Sequence, residues 1–278
     1  MAATSIAEAL RTAGIDPADS RILLRAALGA SAAHLAAHPE RALTDVESQR
    51  YRAWVERRRN GEPVAYITGE REFYSLAIQV TPSVLIPRPE TELLVEAALE
   101  LIAADAPVRV LDLATGSGCV AVAIGRHRAR ARVTATDISR DALNVARSNA
   151  EAQGVDVEFI ESDWFAALNG RRFNLIVANP PYIAEGDRHL DEGDLRFEPR
   201  NALVAGPDGL ACIDSIVARA HAHLDTGGWL LFEHGFDQAA PCRSLLQRAG
   251  FEQVISKRDL AGIERINGGQ RGSAKDLR

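Results

Sequence analysis

Asn179-Pro180-Pro181-Tyr182 places an amide side chain, two prolines and an aromatic ring directly behind the apolar run Phe173–Ala178. That run reads as a buried strand, so the tetrapeptide lies just past a strand's carboxyl end, the edge at which open α/β sheets bind ligands. Adjacent prolines forbid helix and remove two N–H donors, which leaves a stiff loop with free carbonyls. Carbonyl acceptors suit the N–H groups of a planar amide or an amino-substituted base, and a ring suits its face. A proline turn that only closes a strand would share the same prolines. Residues further upstream separate the two readings.

Val110-Leu111-Asp112-Leu113 runs into Ala114-Thr115-Gly116-Ser117-Gly118 and then into an apolar stretch with helical character. Glycines let a ligand approach the backbone, and a helix N-terminus offers unpaired N–H groups to an anionic end. About twenty residues on, a second strand ends in Asp137, a carboxylate able to accept both hydroxyls of a ribose. The stretch 116–121 also fits the G-x-G-x-x-A form of a dinucleotide site. The order of parts favours S-adenosylmethionine, with S-adenosylhomocysteine as product, over NAD, and a non-catalytic nucleotide-binding module or an NAD enzyme stands as the reading from another class. Asp112 ends the first strand, Asp137 the second and Asn179-Pro180-Pro181-Tyr182 the fourth, all on one edge, and a dehydrogenase has no evident use for the last of them.

Together these features resemble a class I methyltransferase that modifies a planar nitrogen. Pro63-Val64-Ala65-Tyr66-Ile67-Thr68-Gly69, Arg71-Glu72-Phe73 and Leu85-Ile86-Pro87-Arg88-Pro89-Glu90-Thr91-Glu92 narrow the resemblance to the HemK/PrmC family, the glutamine-N5 methyltransferases of peptide-chain release factors. It continues through Asp194-Leu195-Arg196-Phe197-Glu198-Pro199 and Glu233-His234-Gly235, covering the chain from Glu62 to about Arg265. The resemblance implies a Rossmann-like, mostly parallel seven-stranded sheet with a small N-terminal helical domain. It assigns catalysis to Asn179, Pro180 and Tyr182, and substrate contact to these and Pro181. Cofactor contact falls to Ala114, Thr115, Gly116, Ser117, Gly118, Asp137, Trp164 and Asn179. For Trp164, packing between domains stands beside the cofactor role. The family usually has glycine where this chain has Ala114. Two sibling acceptors share the chemistry, a ribosomal protein and the N6 of adenine in nucleic acid.

A net charge of −6 argues against a nucleic-acid binder, which needs a basic footprint. The run Arg57-Arg58-Arg59 reads as solvated helix surface, with a minor claim to touching an acidic or RNA-bearing partner. Cys119, Cys212 and Cys242 are scattered without metal-ligand spacing, so no zinc site or disulfide framework is indicated. No signal sequence or membrane-length apolar run is evident, and a cytoplasmic monomer is expected. Release factors are the expected partners, with no direct contact to nucleic acid or membrane.

The elements that must position these residues alternate. Residues 1–75 read as a helical substrate-recognition domain, with capping patterns at Ser5/Glu8, Asp16-Pro17 and Thr44/Glu47. Residues 76–89 complete a hairpin and linker, and 90–278 form the catalytic domain. Strands are expected at 108–113, 133–136, 157–160, 173–178, 229–232, 251–256 and 263–267, separated by helices except before the last. Residues 268–278 read as disordered. Gly268-Gly269-Gln270 in that tail repeats the tripeptide whose glutamine the family methylates, so Gln270 stands as a pseudo-substrate of low weight against coincidence.

Overall fold

The computed structural model describes residues 4–272. The chain divides into two compact units, one of residues 1–70 with 191–197, the other of 71–190 with 198–278. The first unit holds five helices: α1 (Ile6–Thr12), α2 (Pro17–Leu28), α3 (Ala32–Ala37), α4 (Asp45–Arg59) and α5 (Val64–Thr68). Their starts are written in the sequence. Ser5 Oγ accepts from Glu8 N at 3.2 Å, Asp16 accepts from Ala18 N at 2.7 Å, and Thr44 and Glu47 close a reciprocal capping box. Each satisfies donors that a helix leaves unpaired. Ile6, Leu23, Leu24, Tyr51, Val55 and Ile67 form the core, with Trp54 packed against it.

The basic run of α4 is not a free solvated face. Arg57 Nε bonds Glu62 at 2.7 Å, Arg58 reaches Asp19 at 2.7 Å and Asp194 at 3.0 Å, and Arg59 donates to the carbonyl of Ala13 at 2.6 Å. Arg58 thereby ties the distant segment 191–197 into this unit, whereas the sequence reading left that segment with the catalytic residues. Arg196 adds a bond to the carbonyl of Asn60 at 3.2 Å.

The second unit opens with a hairpin of β1 (Glu70–Phe73) and β2 (Leu76–Gln79), followed by a 3-10 turn, Pro89–Thr91, and α6 (Glu92–Leu101). Then come β3 (Arg109–Leu113), α7 (Cys119–His127), β4 (Arg132–Asp137), α8 (Arg140–Gln153), β5 (Val157–Glu161), β6 (Phe173–Ala178), α9 (Ala211–His223), β7 (Leu224–Glu233), α10 (Ala239–Arg248), β8 (Phe251–Arg258) and β9 (Glu264–Arg271). The seven strands β3 to β9 pair in the order β5-β4-β3-β6-β7-β9-β8, with β9 antiparallel to both neighbours and the others parallel. Apolar side chains of α9 and α10 close one core with Leu111, Leu113, Ile176, Ala178, Leu230 and Phe232.

The tail reading is overturned. Residues 268–271 lie in β9, held between β7 and β8, with Gly268 and Gly269 buried. A Cβ on Gly268 would stand 2.4 Å from Leu231, and one on Gly269 2.7 Å from Phe251. These glycines permit close strand approach and do not supply flexibility. Gln270 bonds the carbonyl of Gly227 at 2.9 Å, so it is spent in the sheet and is no pseudo-substrate. Residues 273–278 lie outside the described residues.

Candidate active site

Parallel register gathers the site. Leu113 pairs with Thr136 and with Ala178, and Asp137 pairs with Glu161, so the ends of β5, β4, β3 and β6 stand side by side. The chain moves outward one way from β3 to β4 and β5, then returns to place β6 on β3's other side. That reversal opens a crevice at the strand ends. A cavity of about 270 Å³ lies there, lined by Ala114, Thr115, Gly116, Ser117, Asp137, Trp164, Asn179 and Pro181 among others. Eight of the eleven residues singled out from sequence thus meet in one cavity. Gly118, Pro180 and Tyr182 stand outside its lining. Asp112, Ser139, Ser162, Asp163 and Cys212 also line it.

The turn after β3 is built on left-handed backbone. Ala114, Gly116 and Gly118 have φ of 56°, 56° and 80°. An ideal Cβ on Gly116 would have no neighbour within 4 Å, so the space beside it is open cavity. On Gly118 it would meet Ala146 at 2.9 Å, which assigns that glycine to packing between α7 and α8. Trp164 is also left-handed, at φ 49°. Two non-glycine residues in this region on one cavity wall store strain where a ligand would sit.

Two carboxylates brace the turn. Asp137 accepts from Gly116 N and Ser139 N, both at 2.9 Å. Burial raises its pKa, opposed by these N–H groups. Asp112 accepts from the Thr115 hydroxyl at 2.6 Å and from Ala121 N at 3.2 Å. Being buried, it is pushed up to about 7, with the same two donors pulling back. The residues fit S-adenosylmethionine on these observations: an open glycine wall, an acid at the second strand end and a half-buried indole beyond the third.

On the other side of the crevice, half-buried Asn179 donates through Nδ2 to Thr91 Oγ1 at 3.1 Å, which leaves Oδ1 as the amide's acceptor. The Tyr182 hydroxyl donates to Glu233 at 3.0 Å, and its carbonyl accepts from Gln238 at 3.0 Å. Tyr182 is held neutral by burial and by Glu233. Glu233, also buried, is raised to about 6. His234 is fully buried and donates from Nδ1 to the carbonyl of Gly235 at 2.8 Å.

The block Pro87-Arg88-Pro89-Glu90-Thr91-Glu92 is spent on the same region. Arg88 pairs with buried Glu198, which also accepts from Ile86 N at 2.9 Å, and Glu92 accepts from Tyr74 N at 2.8 Å. The roles of Thr91 and Glu233 escaped the sequence reading. Their signal was present in the two family blocks that contain them, but only the fold brings those blocks to the site, Glu233 through the β6–β7 pairing and Thr91 through its bond with Asn179.

Comparison with known proteins agrees with this architecture. A family model described as the PrmC N-terminal domain matches residues 2–69, and one described as the methyltransferase small domain matches residues 89–194. A solved methyltransferase from Pyrococcus furiosus superposes with a TM-score of 0.55 at 17% identity, over 78% of this chain and 98% of that one, and shows the fold. A release factor glutamine methyltransferase from Burkholderia pseudomallei is 53% identical over 95% of both chains. One from Pseudomonas aeruginosa is 51% identical over 91% of both. At that identity and coverage the chain belongs to the release factor glutamine methyltransferase family.

Proposed function

We propose that this chain methylates the side-chain amide nitrogen of the glutamine in the Gly-Gly-Gln motif of peptide-chain release factors, with S-adenosylmethionine as donor. The observation that carries the reading is the fixed polarity of Asn179 beside the cavity at the β3–β6 crevice. The donor supplies an electrophilic methyl group. An amide nitrogen is a poor nucleophile because its lone pair is delocalised into the carbonyl, so the residues must aim it and meet the positive charge that grows on it. Asn179 Oδ1 and the Pro180 carbonyl are acceptors for its two N–H groups. Acceptors facing a developing cation invert the logic of an oxyanion hole. Holding both N–H groups also fixes the line of attack, and orientation alone contributes several kcal/mol. Tyr182 covers the amide plane. Once methylated, the cationic amide is a strong acid and sheds its proton to water without a dedicated base.

For the donor, Ala114 to Gly118 hold the methionine end, Asp137 the ribose and Trp164 the adenine side. The helical unit, α1 to α5 with segment 191–197, grips the release factor. The same reading makes the protein a cytoplasmic monomer without direct contact to nucleic acid. Among the described residues no helix is long and apolar enough to cross a membrane.

The test is a methyl-transfer assay on purified release factor, with mass spectrometry locating the methyl. Modification at the Gly-Gly-Gln glutamine supports the reading. Methyl recovered instead on a ribosomal protein, or on adenine N6 of added nucleic acid, replaces it.

A further inference from the structure

Pro180 and Pro181 have no backbone N–H, so the loop Asn179-Pro180-Pro181-Tyr182 has no donor in its middle by which to be tied down. Its anchors lie at the two ends. Asn179 donates to Thr91 at 3.1 Å, while Tyr182 is held by its hydroxyl on Glu233 and by its carbonyl on Gln238, both at 3.0 Å. Each proline fixes its own φ, so the carbonyl of Pro180 follows wherever the two ends are set. Both Tyr182 anchors come from one connection: Glu233 ends β7, and Gln238 stands just before α10.

Gln238 is buried, and both ends of its amide are used. Oε1 accepts from Gly235 N at 2.8 Å, while Nε2 donates to the carbonyls of Tyr182 at 3.0 Å and Asp208 at 3.4 Å. An N–H on one side and two carbonyls on the other admit a single orientation of the amide. The approach is tight. Gly209 has φ 73°, and a Cβ there would stand 2.3 Å from the Tyr182 carbonyl oxygen and 2.7 Å from Gln238 Nε2. A side chain at 209 would occupy the space of the bond itself, so glycine is what lets donor and acceptor meet. A Cβ on Gly235 would meet Oε1 at 3.0 Å, which gives the glycine of Glu233-His234-Gly235 a task at the same amide. Beyond Tyr182, Ile183 N bonds the carbonyl of Leu203 and Ala205 N bonds that of Ile183, both at 2.9 Å. The chain leaving the tetrapeptide thus runs beside the chain that leads to Asp208, and Gln238 bonds both.

We infer that Gln238 is a positioning residue for methyl transfer: by holding the Tyr182 carbonyl, with Gly209 admitting the bond, it sets the stiff diproline so that the Pro180 carbonyl meets the substrate amide. This rests on the role proposed above for Pro180. A role confined to the turn 235–238 would need only Oε1, whereas Nε2 is spent entirely outside that turn. Neither Gln238 nor Gly209 lines the cavity, so losing the bond should spare the donor and misplace the substrate nitrogen.

The experiment uses the full chain with release factor and S-adenosylmethionine. Gln238→Met, close in length but without donors, is expected to lower kcat roughly ten- to a hundredfold, the scale of loss for a misplaced reacting group. KM for release factor and affinity for S-adenosylmethionine should be unchanged, the split that marks an interaction made in the transition state. Gly209→Ala should show the same split, since its methyl group displaces the Tyr182 carbonyl and leaves the bond from Gly235 to Gln238 in place. The double variant should be no slower than the slower single one, because both changes break one bond. Retained cofactor affinity and circular dichroism confirm that each variant is folded. A wild-type kcat in Gln238→Met, a raised KM with kcat intact, or a double variant whose loss is the product of the two single losses would each overturn the assignment. Amide hydrogen exchange reads the same device without turnover. Exchange at Ile183 and Ala205 should quicken in both single variants while the amides of β3 keep their protection, and unchanged exchange would also overturn the assignment. If the wild type leaves release factor unmodified, the proposed substrate fails while the exchange test still decides whether Gln238 holds the loop.

Discussion

The two sides of the crevice are built by different means. On the β3–β4 side the wall is mostly backbone: left-handed Ala114 and Gly116, with Asp137 and Asp112 bracing the turn through N–H groups and one hydroxyl. On the β6–β7 side side chains set the wall: Asn179 lines the cavity with its amide held on Thr91, and behind it the Tyr182 hydroxyl rests on Glu233. Backbone walls accommodate the constant parts of a ligand, because a turn can present N–H groups at fixed spacing whatever its side chains. Side-chain walls can impose the polarity of an amide, which a backbone turn cannot change residue by residue. Cofactor binding and transfer should therefore fail separately when the two sides are mutated.

The sharpest separation is Asn179→Ala. It removes an acceptor that matters most as charge develops, and deletion of the analogous donor in an oxyanion hole costs about a hundredfold or more in rate. Single-turnover transfer should fall by that factor while calorimetry finds S-adenosylmethionine bound almost as before. Near-normal turnover would erase the distinction between the two walls.

Acid titration sharpens the contrast from the other wall. Asp112 is raised by burial from the ordinary carboxylate range to about 7, so the folded protein holds a proton there that the unfolded chain releases. Its contribution to stability is fully present below the ordinary aspartate value and is lost as pH rises through about 7. Relative to Asp112→Asn, which cannot titrate, the wild type should gain stability as pH falls from 8 toward 5. The slope is bounded by about 1.4 kcal/mol per pH unit for one proton. Urea unfolding at several pH values checks this, and a slope of opposite sign would mean that Asp112 is ionised in the fold.

Asp137→Ala should be milder and should act on binding. Losing a charged acceptor weakens each hydrogen bond to it by about 1.5–3 kcal/mol at most, and water recovers part of that at a half-buried site. Roughly tenfold weaker S-adenosylmethionine binding is expected, with little change in kcat at saturation. Unchanged affinity measured by calorimetry would show that the end of β4 does not meet the cofactor.

The same difference governs what could be read from sequence. The backbone wall was legible because its ingredients are local: an apolar strand, a glycine-rich turn and an acid ending the next strand. The strand Phe173–Ala178 was found to the residue, since both of its faces are buried and it reads as a continuous apolar run. The bonds from Asn179 to Thr91 and from Tyr182 to Glu233 were not legible, because they span 88 and 51 residues and need the fold to bring their partners together. Gly268 and Gly269 misled for the opposite reason. Composition cannot separate a glycine that frees the backbone from one that lets β9 lie close to Leu231 and Phe251. The place of segment 191–197 was not legible because its attachments are long-range arginine bonds, Arg58 to Asp194 and Arg196 to the carbonyl of Asn60, which carry no local pattern.

The smallest expected effect concerns Ala114, where the chain departs from the usual glycine. At φ 56° an alanine pays for its Cβ by about 1–2 kcal/mol, the steric cost of the left-handed region. Replacing it with glycine removes that cost but restores conformational freedom to the unfolded chain, a loss of about 0.4–1 kcal/mol. The balance favours Ala114→Gly by roughly 0.5 kcal/mol, a rise in Tm of about 1–2 °C for a protein of this size. Because Ala114 lines the cavity, the change should also widen the approach to the cofactor's amino-acid end and tighten S-adenosylmethionine slightly. Asn179 and Thr91 lie on the opposite wall, so kcat at saturating cofactor should stay put. A destabilised Ala114→Gly protein would mean that the methyl group earns more from its neighbours than the backbone loses. A changed kcat would mean that the two walls are coupled, with the backbone turn helping to aim the amide as well as to hold the donor.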